Sequence, residues 1–429
     1  MGRSERGHDA AAPPEPPTEP PTQPVLLVAD DLSGAAEAAL AHGGPSTLLL
    51  DPGTPAPGAD VLVVDLHCRA GSAEAAADGL RRALARQATG PGGHRRRVAL
   101  KVDSLLRGHL AAAVTGALAT GAPVVLAPAL PVAGRTVRGG VVHVDGVPLH
   151  RTGAWHAEPT APPVSVAAAL DAVPAHVLDL DAVRSPTPAL AAALAAAAAR
   201  GAVAVCDGTD DGDLDAVVRA ATAVGAVLVG SAGVVAALGR SRPATRAAAR
   251  QAAPPGGGDV LVVVGTAAPG ARAQLHALRR AGARVVELSE DPAATPRALR
   301  AGLRSGCAAL TLPPGPVDPA RSRHLAGALA DVARAAVTAH PTPLHLALTG
   351  GETARAVLDA LGVRVLEPLR QVHHGAVVSR APGGRLVATR PGSFGDEGSL
   401  LALARALGAL PGTPAPHLDA VPERQEIPR

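Results

Sequence analysis

The sequence of 429 residues predicts an α/β fold made of two α/β domains, each with a mainly parallel sheet, with a cleft between them. Short runs of valine and leucine alternate with alanine-rich segments of helical length along most of the chain. Continuous apolar runs separated by helices are typical of parallel strands that are buried on both faces. A stretch rich in proline and glycine interrupts the series and indicates a boundary between two domains.

The N-terminal series of predicted strands consists of VLLVAD (25–30), DVLVVDL (60–66), VALKVD (98–103), PVVLAPA (123–129), AVAVCD (202–207) and AVLVGS (226–231). The segment VVHVDGVPL, which follows the fourth run, predicts a β-hairpin that turns at Asp145 and Gly146. The alanine-rich stretch near residues 190–200 predicts a helix, because alanine has the highest helix propensity.

The second series of predicted strands consists of DVLVVVG (259–265), ARVVELS (283–289), CAALTLP (307–313) and PLHLALTGG (343–351). We therefore expect an N-terminal domain over residues 25–245, a linker over 246–257 and a C-terminal domain over 258–410. The flanking segments 1–24 and 411–429 are rich in proline and polar residues and have little to bury, so they are predicted to be disordered tails.

The amino-acid composition argues against two classes of binding partner, nucleic acids and membranes. The net charge is +3, and the chain has one Trp, one Phe and no Tyr to stack on bases, so no nucleic-acid partner is expected. The cysteines Cys68, Cys206 and Cys307 show no metal-binding or disulfide spacing, which favours a reducing cytoplasm. The sequence has no uninterrupted, strongly apolar run of 18 residues and no secretory signal, so no membrane partner is expected.

Lys101 is the one lysine among 40 basic residues, and the other 39 are arginines. Because this chain uses arginine wherever either residue serves, we expect Lys101 to do something that a guanidinium cannot. Strand alternation directs Lys101 and Asp103 to one rim of the sheet, with Ser104 and Arg107 nearby. Two cations at this rim could bind a carboxylate or a phosphate, and a structural salt bridge is the alternative.

Other polar residues follow predicted strands at the edge where parallel sheets bind ligands. Asp30 and Asp31 end the first run, where adjacent carboxylates could hold Mg²⁺, orient a hydroxyl or remove its proton. Their alternative role is a helix N-cap beside a solvated acid. Arg69 after the second run and Arg135 in a proline-bounded loop are candidates for anion binding, and a solvated loop arginine is the alternative for Arg135.

Three loops of the predicted C-terminal domain suit a phosphate. Thr266 lies between a buried strand and a helix, and two further loops contain glycines that let the backbone approach a ligand closely. The candidate residues of these two loops are Gly350, Gly351, Glu352, Thr353, Gly392 and Gly395. Phe394 is expected to pack beneath its loop, with stacking on a base as the alternative. The chain has neither a P-loop motif nor a GxGxxG motif after a strand.

Seven motifs, taken in order, resemble those of the four-carbon acid sugar kinase family, long classed as a domain of unknown function. They extend over residues 25–407 and are DDLSGAAE, KVDSLLRG, PALPVAGRTVRGG with the following VDGVPL, GSAG, VVVGTAAPGARAQ, LTGGETA and RPGSFGDEG. Ser33 and Thr266 keep the hydroxyl of the family's usual Thr and Ser, and Arg390 replaces a common Lys. Leu105 stands where Thr is usual and is expected to remove a polar group beside the substrate.

The resemblance implies that the N-terminal domain binds the sugar acid and the C-terminal domain binds ATP. The family phosphorylates the terminal hydroxyl of threonate, erythronate or 3-oxo-tetronate. Carried over by motif, the ATP contacts fall on Thr266, on residues 350–353 and on the glycines of RPGSFGD. The acid-sugar motifs fall on Asp30, Asp31, Lys101, Asp103, Ser104 and Arg107.

The residues and the resemblance together give one hypothesis. Asp30 or Asp31 activates the 4-hydroxyl of a tetronate, Lys101 and Arg107 hold its carboxylate or the migrating phosphoryl group, and the C-terminal domain presents ATP and Mg²⁺ across the cleft. The alternatives are a two-lobed sugar-acid-binding protein without catalytic activity and a kinase of another small hydroxy acid. The identity of the tetronate, the metal ligands and the oligomeric state, including a homodimer, stay open.

Overall fold

The computed structural model describes residues 23–55, 58–155, 158, 160–242, 257–266, 270–291, 293–314, 322–392 and 395–410. The predicted C-terminal tail, nearly all of the predicted N-terminal tail and linker, and Phe394 lie outside these ranges.

The N-terminal part alternates strands and helices. Its strands are β1 (Val25–Ala29), β2 (Ser46–Leu49), β3 (Val61–Asp65), β4 (Arg97–Lys101), β5 (Val124–Ala127), β6 (Arg135–Arg138), β7 (Val141–Val144), β8 (Val147–Pro148), β9 (Ala175–Leu178), β10 (Val203–Cys206) and β11 (Val227–Gly230). Its α-helices are α1 (Leu32–Ala41), α2 (Ala73–Gln87), α3 (Leu110–Leu118), α4 (Val166–Ala169), α5 (Leu180–Val183), α6 (Thr187–Ala199), α7 (Asp211–Ala223) and α8 (Ala232–Arg240).

The C-terminal part repeats this alternation and adds an antiparallel ribbon. Its strands are β12 (Val260–Val264), β13 (Arg284–Glu287), β14 (Cys307–Thr311), β15 (His345–Thr349), β16 (Val365–His373), β17 (Ala376–Arg380) and β18 (Leu386–Arg390). Its helices are α9 (Gly270–Arg280), α10 (Ala294–Leu303), α11 (Ser322–Ala339), α12 (Gly351–Ala360) and α13 (Ser399–Ala406). None of the helices in the described ranges is long and apolar enough to span a membrane.

The two parts share one continuous sheet of 15 strands in the order β13-β14-β12-β15-β18-β17-β16-β2-β3-β1-β4-β11-β5-β10-β9, while β6, β7 and β8 form a separate sheet. In this spatial order, the eight neighbouring strands from β2 across to β9 are all parallel, and so are the five from β13 across to β18. These parallel sheets confirm the predicted α/β class. The junction is antiparallel, with Val365 opposite Leu49 and Leu366 opposite Leu48. Since β16, β17 and β18 also pair antiparallel, the parallel strands of the two parts run in opposite directions.

All ten apolar runs form strands, and the predicted hairpin forms between β7 and β8 with positive φ at both Asp145 and Gly146. The alanine-rich helix is confirmed as α6, and Trp155 packs in the core. The predictions missed six strands, β2, β6, β9, β16, β17 and β18, and Arg135, which was expected in a loop, begins β6. Of these, β9 and β16 are half exposed and interleave polar residues with apolar ones, so a search for strands buried on both faces cannot find them.

Glycine allows α8 to pack closely on α1, the helix that follows the first polar motif. A methyl group added to Gly239 of α8 would clash with the carbonyl oxygen of His42 at the end of α1. The absence of a side chain at this position therefore sets how closely α8 approaches the C-terminal end of α1.

Two glycine-to-alanine substitutions in helices should have opposite effects. Gly239→Ala should lower the free energy of unfolding by about 1–3 kcal/mol, because α1 and α8 must separate to admit the methyl group. Gly327→Ala in α11 should raise it by about 0.5–1 kcal/mol, because a methyl group there meets no atom within 4 Å and alanine favours the helix. Urea unfolding of both variants measures this, and equal effects would contradict the proposed α1–α8 contact.

Candidate functional site

Three neighbouring strands bring the predicted acid-binding residues to one edge of the sheet. Ala29 at the end of β1 is in register with Lys101 at the end of β4, and Lys101 is in register with Gly230 at the end of β11. The residues that follow these strands therefore converge above the sheet. They line a pocket of about 420 Å³, part of it open to solvent.

The pocket contains most of the residues predicted to bind the substrate. Its lining includes Asp31, Arg69, Lys101, Asp103, Ser104, Arg107 and Arg135 from the N-terminal part, and Pro391 from the C-terminal part. It also includes two residues that were not predicted as site residues, Ser33 and Glu37. These two lie four residues apart on α1, and this spacing on the helix after Asp31 could have indicated a shared face.

Arg69 holds the adjacent carboxylates of Asp30 and Asp31. Its Nε and Nη2 donate to the two carboxylate oxygens of Asp30 at 2.8 and 2.7 Å, and Nη2 lies 2.8 Å from Oδ1 of Asp31. Burial by itself would lower the pKa of Arg69, but the two carboxylates hold it well above its usual value. Arg69 is therefore fully charged, and its guanidinium is occupied by these two carboxylates.

Asp31 differs from Asp30 in having an oxygen to spare. Asp31 is the N-cap of α1, and its Oδ1 accepts a hydrogen bond from the amide of Gly34 at 3.0 Å. Within the described ranges its Oδ2 has no hydrogen-bond partner and points toward Gly351, where an added methyl group would lie 3.4 Å away. Of the two predicted bases, only Asp31 presents a free oxygen toward the C-terminal part.

Asp103 and Arg107 form a second ion pair. Nε and Nη2 of Arg107 donate to the two oxygens of Asp103 at 2.8 Å each, and the amide of Leu105 donates to Oδ2 at 3.1 Å. Burial by itself would raise the pKa of Asp103, but the hydrogen bonds from Arg107 and its charge hold the pKa well below the usual range. Leu105 itself packs in the core and is not among the residues that line the pocket.

Lys101 reaches into the pocket beneath α1 and is 7% exposed. Its Nζ lies 3.8 Å from Oε2 of Glu37, and the other oxygen of Glu37 lies 3.9 Å from Nε2 of His374 in the C-terminal part. A methyl group added to Gly34 would clash with Nζ, so glycine leaves room for the ammonium group at this point. The slender lysine stem fits where the wider guanidinium of arginine has little space.

Arg135 at the start of β6 has fewer protein partners than Arg69 or Arg107. Its Nη1 donates to Oγ of Ser104 at 2.5 Å, and no carboxylate of the described residues lies within ion-pair distance of it. Burial lowers the pKa of this guanidinium, and the negative charge of Asp103 opposes part of that effect. Arg135 and Lys101 thus keep donors for an anion in the pocket.

The predicted nucleotide residues lie at adjoining loops of the C-terminal part. Gly350, with φ of 91°, precedes α12 without a side-chain cap, so the first amides of this helix are open to a ligand. A methyl group on Gly265 would clash with Thr353, and one on Gly392 would lie 2.6 Å from Oγ1 of Thr266. The ends of β12, β15 and β18 therefore pack against one another.

Arg390 supports the loop that contains Gly392 and Gly395. The buried guanidinium donates to Oε1 of Gln274, and Nε2 of Gln274 donates to the carbonyl oxygen of Gly395 at 3.2 Å. Burial lowers the pKa of Arg390 to about 10. Gly395 has φ of 85° and lies against Ser399, whose Oγ is 2.7 Å from Nε2 of His373.

The two candidate binding surfaces meet across the domain boundary. Arg355 of α12 donates to Oδ2 of Asp65 at the end of β3 at 3.0 Å, and His67 lies 3.6 Å from Glu352. Asp65 is completely buried, and burial raises its pKa to about 7, although the charge of Arg355 opposes this. These contacts hold the beginning of α12 over the acid-binding pocket.

Among the described residues no group of three or more His, Cys, Asp or Glu side chains could hold a metal ion. The three cysteines are buried and free, and burial raises the pKa of each to about 12.

Two family models match the chain. One is described as a sugar-binding N-terminal domain and matches residues 25–238, and the other is described as a nucleotide-binding C-terminal domain and matches residues 261–400. The first covers the strands around the acid-binding pocket, and the second covers the glycine-rich loops and α12.

Two relatives resemble the chain over most of its length. A D-threonate kinase of Cupriavidus necator is 33% identical over 411 residues, which cover 87% of this chain and 96% of that protein. A D-threonate kinase of Bordetella bronchiseptica is 34% identical over 413 residues, which cover 89% of this chain and 96% of that protein.

Two solved structures share the fold. A protein of Salmonella typhimurium LT2 has a TM-score of 0.72 at 22% identity and covers 88% of this chain and 98% of its own. A protein of Haemophilus influenzae has a TM-score of 0.68 at 20% identity and covers 90% of this chain and 100% of its own.

Asp65 should make the stability of the protein depend on pH. Its pKa is about 7 in the folded protein and about 4 in an unfolded chain. Its stabilising contribution is therefore complete below pH 4 and is lost as the pH rises through 7. Compared with Asp65→Asn, the native protein should lose at most about 4 kcal/mol of unfolding free energy over this range, since one pKa unit corresponds to about 1.4 kcal/mol.

Urea unfolding at several pH values from 4 to 8 measures this difference. Asp359→Asn is the control, because Asp359 also binds Arg355 at 2.9 Å but is half exposed, and this variant should keep the native pH slope. Parallel pH curves for the native protein and Asp65→Asn would contradict the prediction.

Proposed function

Because this chain belongs to the four-carbon acid sugar kinase family, we propose that it transfers the γ-phosphoryl group of ATP to the 4-hydroxyl of D-threonate. Its family models name a sugar-binding and a nucleotide-binding domain, and both relatives described above are D-threonate kinases. One observation carries the proposal: the pocket around Lys101 and Asp31 faces the uncapped start of α12 across the domain boundary.

The carboxylate of threonate would bind Lys101 and Arg135. Arg69 and Arg107 each have a bidentate carboxylate partner, so their guanidinium groups act mainly to order Asp30 and Asp103. Lys101 has only the more distant Glu37, and Arg135 has the hydroxyl of Ser104. Charged donors without a close ionic partner are the ones that gain most from an incoming carboxylate.

Asp31 would act as the general base toward the 4-hydroxyl. Its Oδ2 faces the start of α12, whereas both oxygens of Asp30 bind Arg69. As the 4-oxygen attacks the γ-phosphorus, its proton passes to Asp31 and ADP leaves. Arg69 keeps the carboxylate of Asp31 oriented during this step.

ATP would bind at the loops that follow β12, β15 and β18. The open amides and positive end of the α12 dipole favour the negatively charged phosphates. Thr266 and Gly392 adjoin this helix start, and glycine allows close approach of the backbone. Mg²⁺ requires only one or two protein oxygens besides phosphates, and the carboxylate of Glu352 in the first turn of α12 fits this limited role; bound Mg²⁺ would neutralise phosphate charge.

A coupled assay of ADP release tests the proposal. The purified protein should release ADP when given ATP, Mg²⁺ and D-threonate, and it should discriminate against L-threonate, the erythronates and 3-oxo-tetronates. Turnover of another tetronate in place of D-threonate would correct the substrate. Absence of ADP release with every tetronate would overturn the proposed reaction.

Asp31→Asn should separate helix capping from catalysis. Asparagine caps a helix as well as aspartate but cannot take a proton, so kcat should fall by about 10²–10⁴-fold while the fold is kept. Asp210→Asn is the matched control, because Asp210 is likewise an N-cap, of the distant α7. Similar kcat values for the two variants would exclude Asp31 as the base.

Arg135→Gln should weaken substrate binding. Loss of one charged hydrogen bond to the carboxylate costs about 1.5–3 kcal/mol, which corresponds to a rise of roughly 10- to 150-fold in the KM for D-threonate. Arg138→Gln is the control, because Arg138 is exposed on the same strand. Steady-state kinetics measure both variants, and an unchanged KM in Arg135→Gln would remove Arg135 from the binding site.

A further inference from the structure

Ser33 has a buried hydroxyl in the pocket to which none of the described protein groups forms a hydrogen bond. It lies in the first turn of α1, is 4% exposed and lines the pocket beside Asp31 and Lys101. Its Oγ has no hydrogen-bond partner within the described ranges. Burial of a hydroxyl without a partner destabilises a folded protein, so such a group in a binding pocket indicates a partner that arrives with the ligand.

Across the domain boundary, Ser33 faces the start of α12. A methyl group added to Gly351 would lie 3.9 Å from Oγ of Ser33 and 3.4 Å from Oδ2 of Asp31. The same point is thus close to the unpaired hydroxyl, to the free carboxylate oxygen and to the open amides of a ten-residue helix. An anionic group bound at these amides would come within reach of the Ser33 hydroxyl.

Other buried hydroxyls without a partner do not share this setting. Thr349, Ser379 and Thr389 also form no hydrogen bond through the side-chain oxygen with any residue that the structure describes, but none of them lines the pocket. Ser379 lies within β17 and is completely buried. Ser33 is therefore singled out by its position between the two anion-binding surfaces.

We propose that Ser33 is a catalytic residue whose hydroxyl donates a hydrogen bond to the phosphoryl group during transfer. This inference rests on the proposed function. As the bond from the 4-oxygen to the γ-phosphorus forms, the bond from the γ-phosphorus to the bridging oxygen of ADP breaks. The substrate proton goes to Asp31, and Ser33 keeps its own proton while it stabilises the charge on a non-bridging oxygen.

The test compares Ser33→Ala and Ser33→Thr with the native protein, and Ser379→Ala serves as the control for removal of a buried, unpaired hydroxyl. Ser33→Ala should lower kcat by roughly 10²–10³-fold, as found for single donors to a transition-state oxygen, with little change in either KM. Ser33→Thr should restore most of the rate. Ser379→Ala should keep the native kcat.

Binding and melting give readouts that do not depend on turnover. Titration with ADP and aluminium fluoride in the presence of D-threonate should show the same fold-loss of affinity in Ser33→Ala, whereas ADP alone should bind as it does to the native protein. The Tm of Ser33→Ala without ligands should be no lower than native, because the variant removes an unsatisfied polar group. If Ser33→Ala does not fold, Ser33→Cys replaces it and should lose part of the rate and of the affinity.

The outcomes separate this inference from the proposed function. A native kcat and native affinity for ADP with aluminium fluoride in Ser33→Ala would overturn the role of Ser33 and leave the kinase intact. Loss of rate together with equal loss of affinity for ADP alone would also overturn it, because it would indicate a general defect of the site. If the native protein turns over no tetronate, the proposed reaction fails, and the affinity for ADP with aluminium fluoride still decides whether Ser33 binds a phosphoryl group.

Discussion

A buried ion pair between Asp65 of β3 and Arg355 of α12 positions the two halves of the site relative to each other. The open amides of α12 are useful only if they lie above the pocket that follows β1 and β4, and this contact holds the helix there. The cost of burying Asp65 is partly offset by Arg355 and by the amide of His67, which donates to its other oxygen at 2.9 Å. The antiparallel pairing of β16 with β2 supports the same arrangement, because it joins the sheets with their strands in opposite directions.

The pocket uses its cations in two ways. Arg69 and Arg107 are paired with Asp30 and Asp103 through bidentate hydrogen bonds, which order the carboxylates and limit repulsion among closely spaced cations. Lys101 and Arg135 remain available because their protein partners are a distant carboxylate and a hydroxyl. The site is thus preorganised for an anion without depending on the anion for its own structure.

Unsatisfied groups remain where a ligand would complete the structure. The start of α12 has no side-chain cap, and the hydroxyl of Ser33 has no partner among the residues described. Elsewhere, helix starts such as those of α2 and α7 are capped by Ser72 and Asp210. At the site, the uncapped helix start and the unpartnered hydroxyl lie on facing surfaces, where one ligand can satisfy both.

The sequence by itself determined the α/β class, the strands buried on both faces and the family, because apolar runs and glycine-rich motifs are local patterns. It also singled out Lys101 and the aspartates after β1. Only the tertiary structure decided which arginines are already paired, that Asp31 has the free oxygen, that Leu105 is core, and that Ser33 and Glu37 belong to the pocket. These features depend on which groups from distant segments come within hydrogen-bond distance, and on the pairing of the half-exposed β16 with β2, which no local pattern of residues specifies.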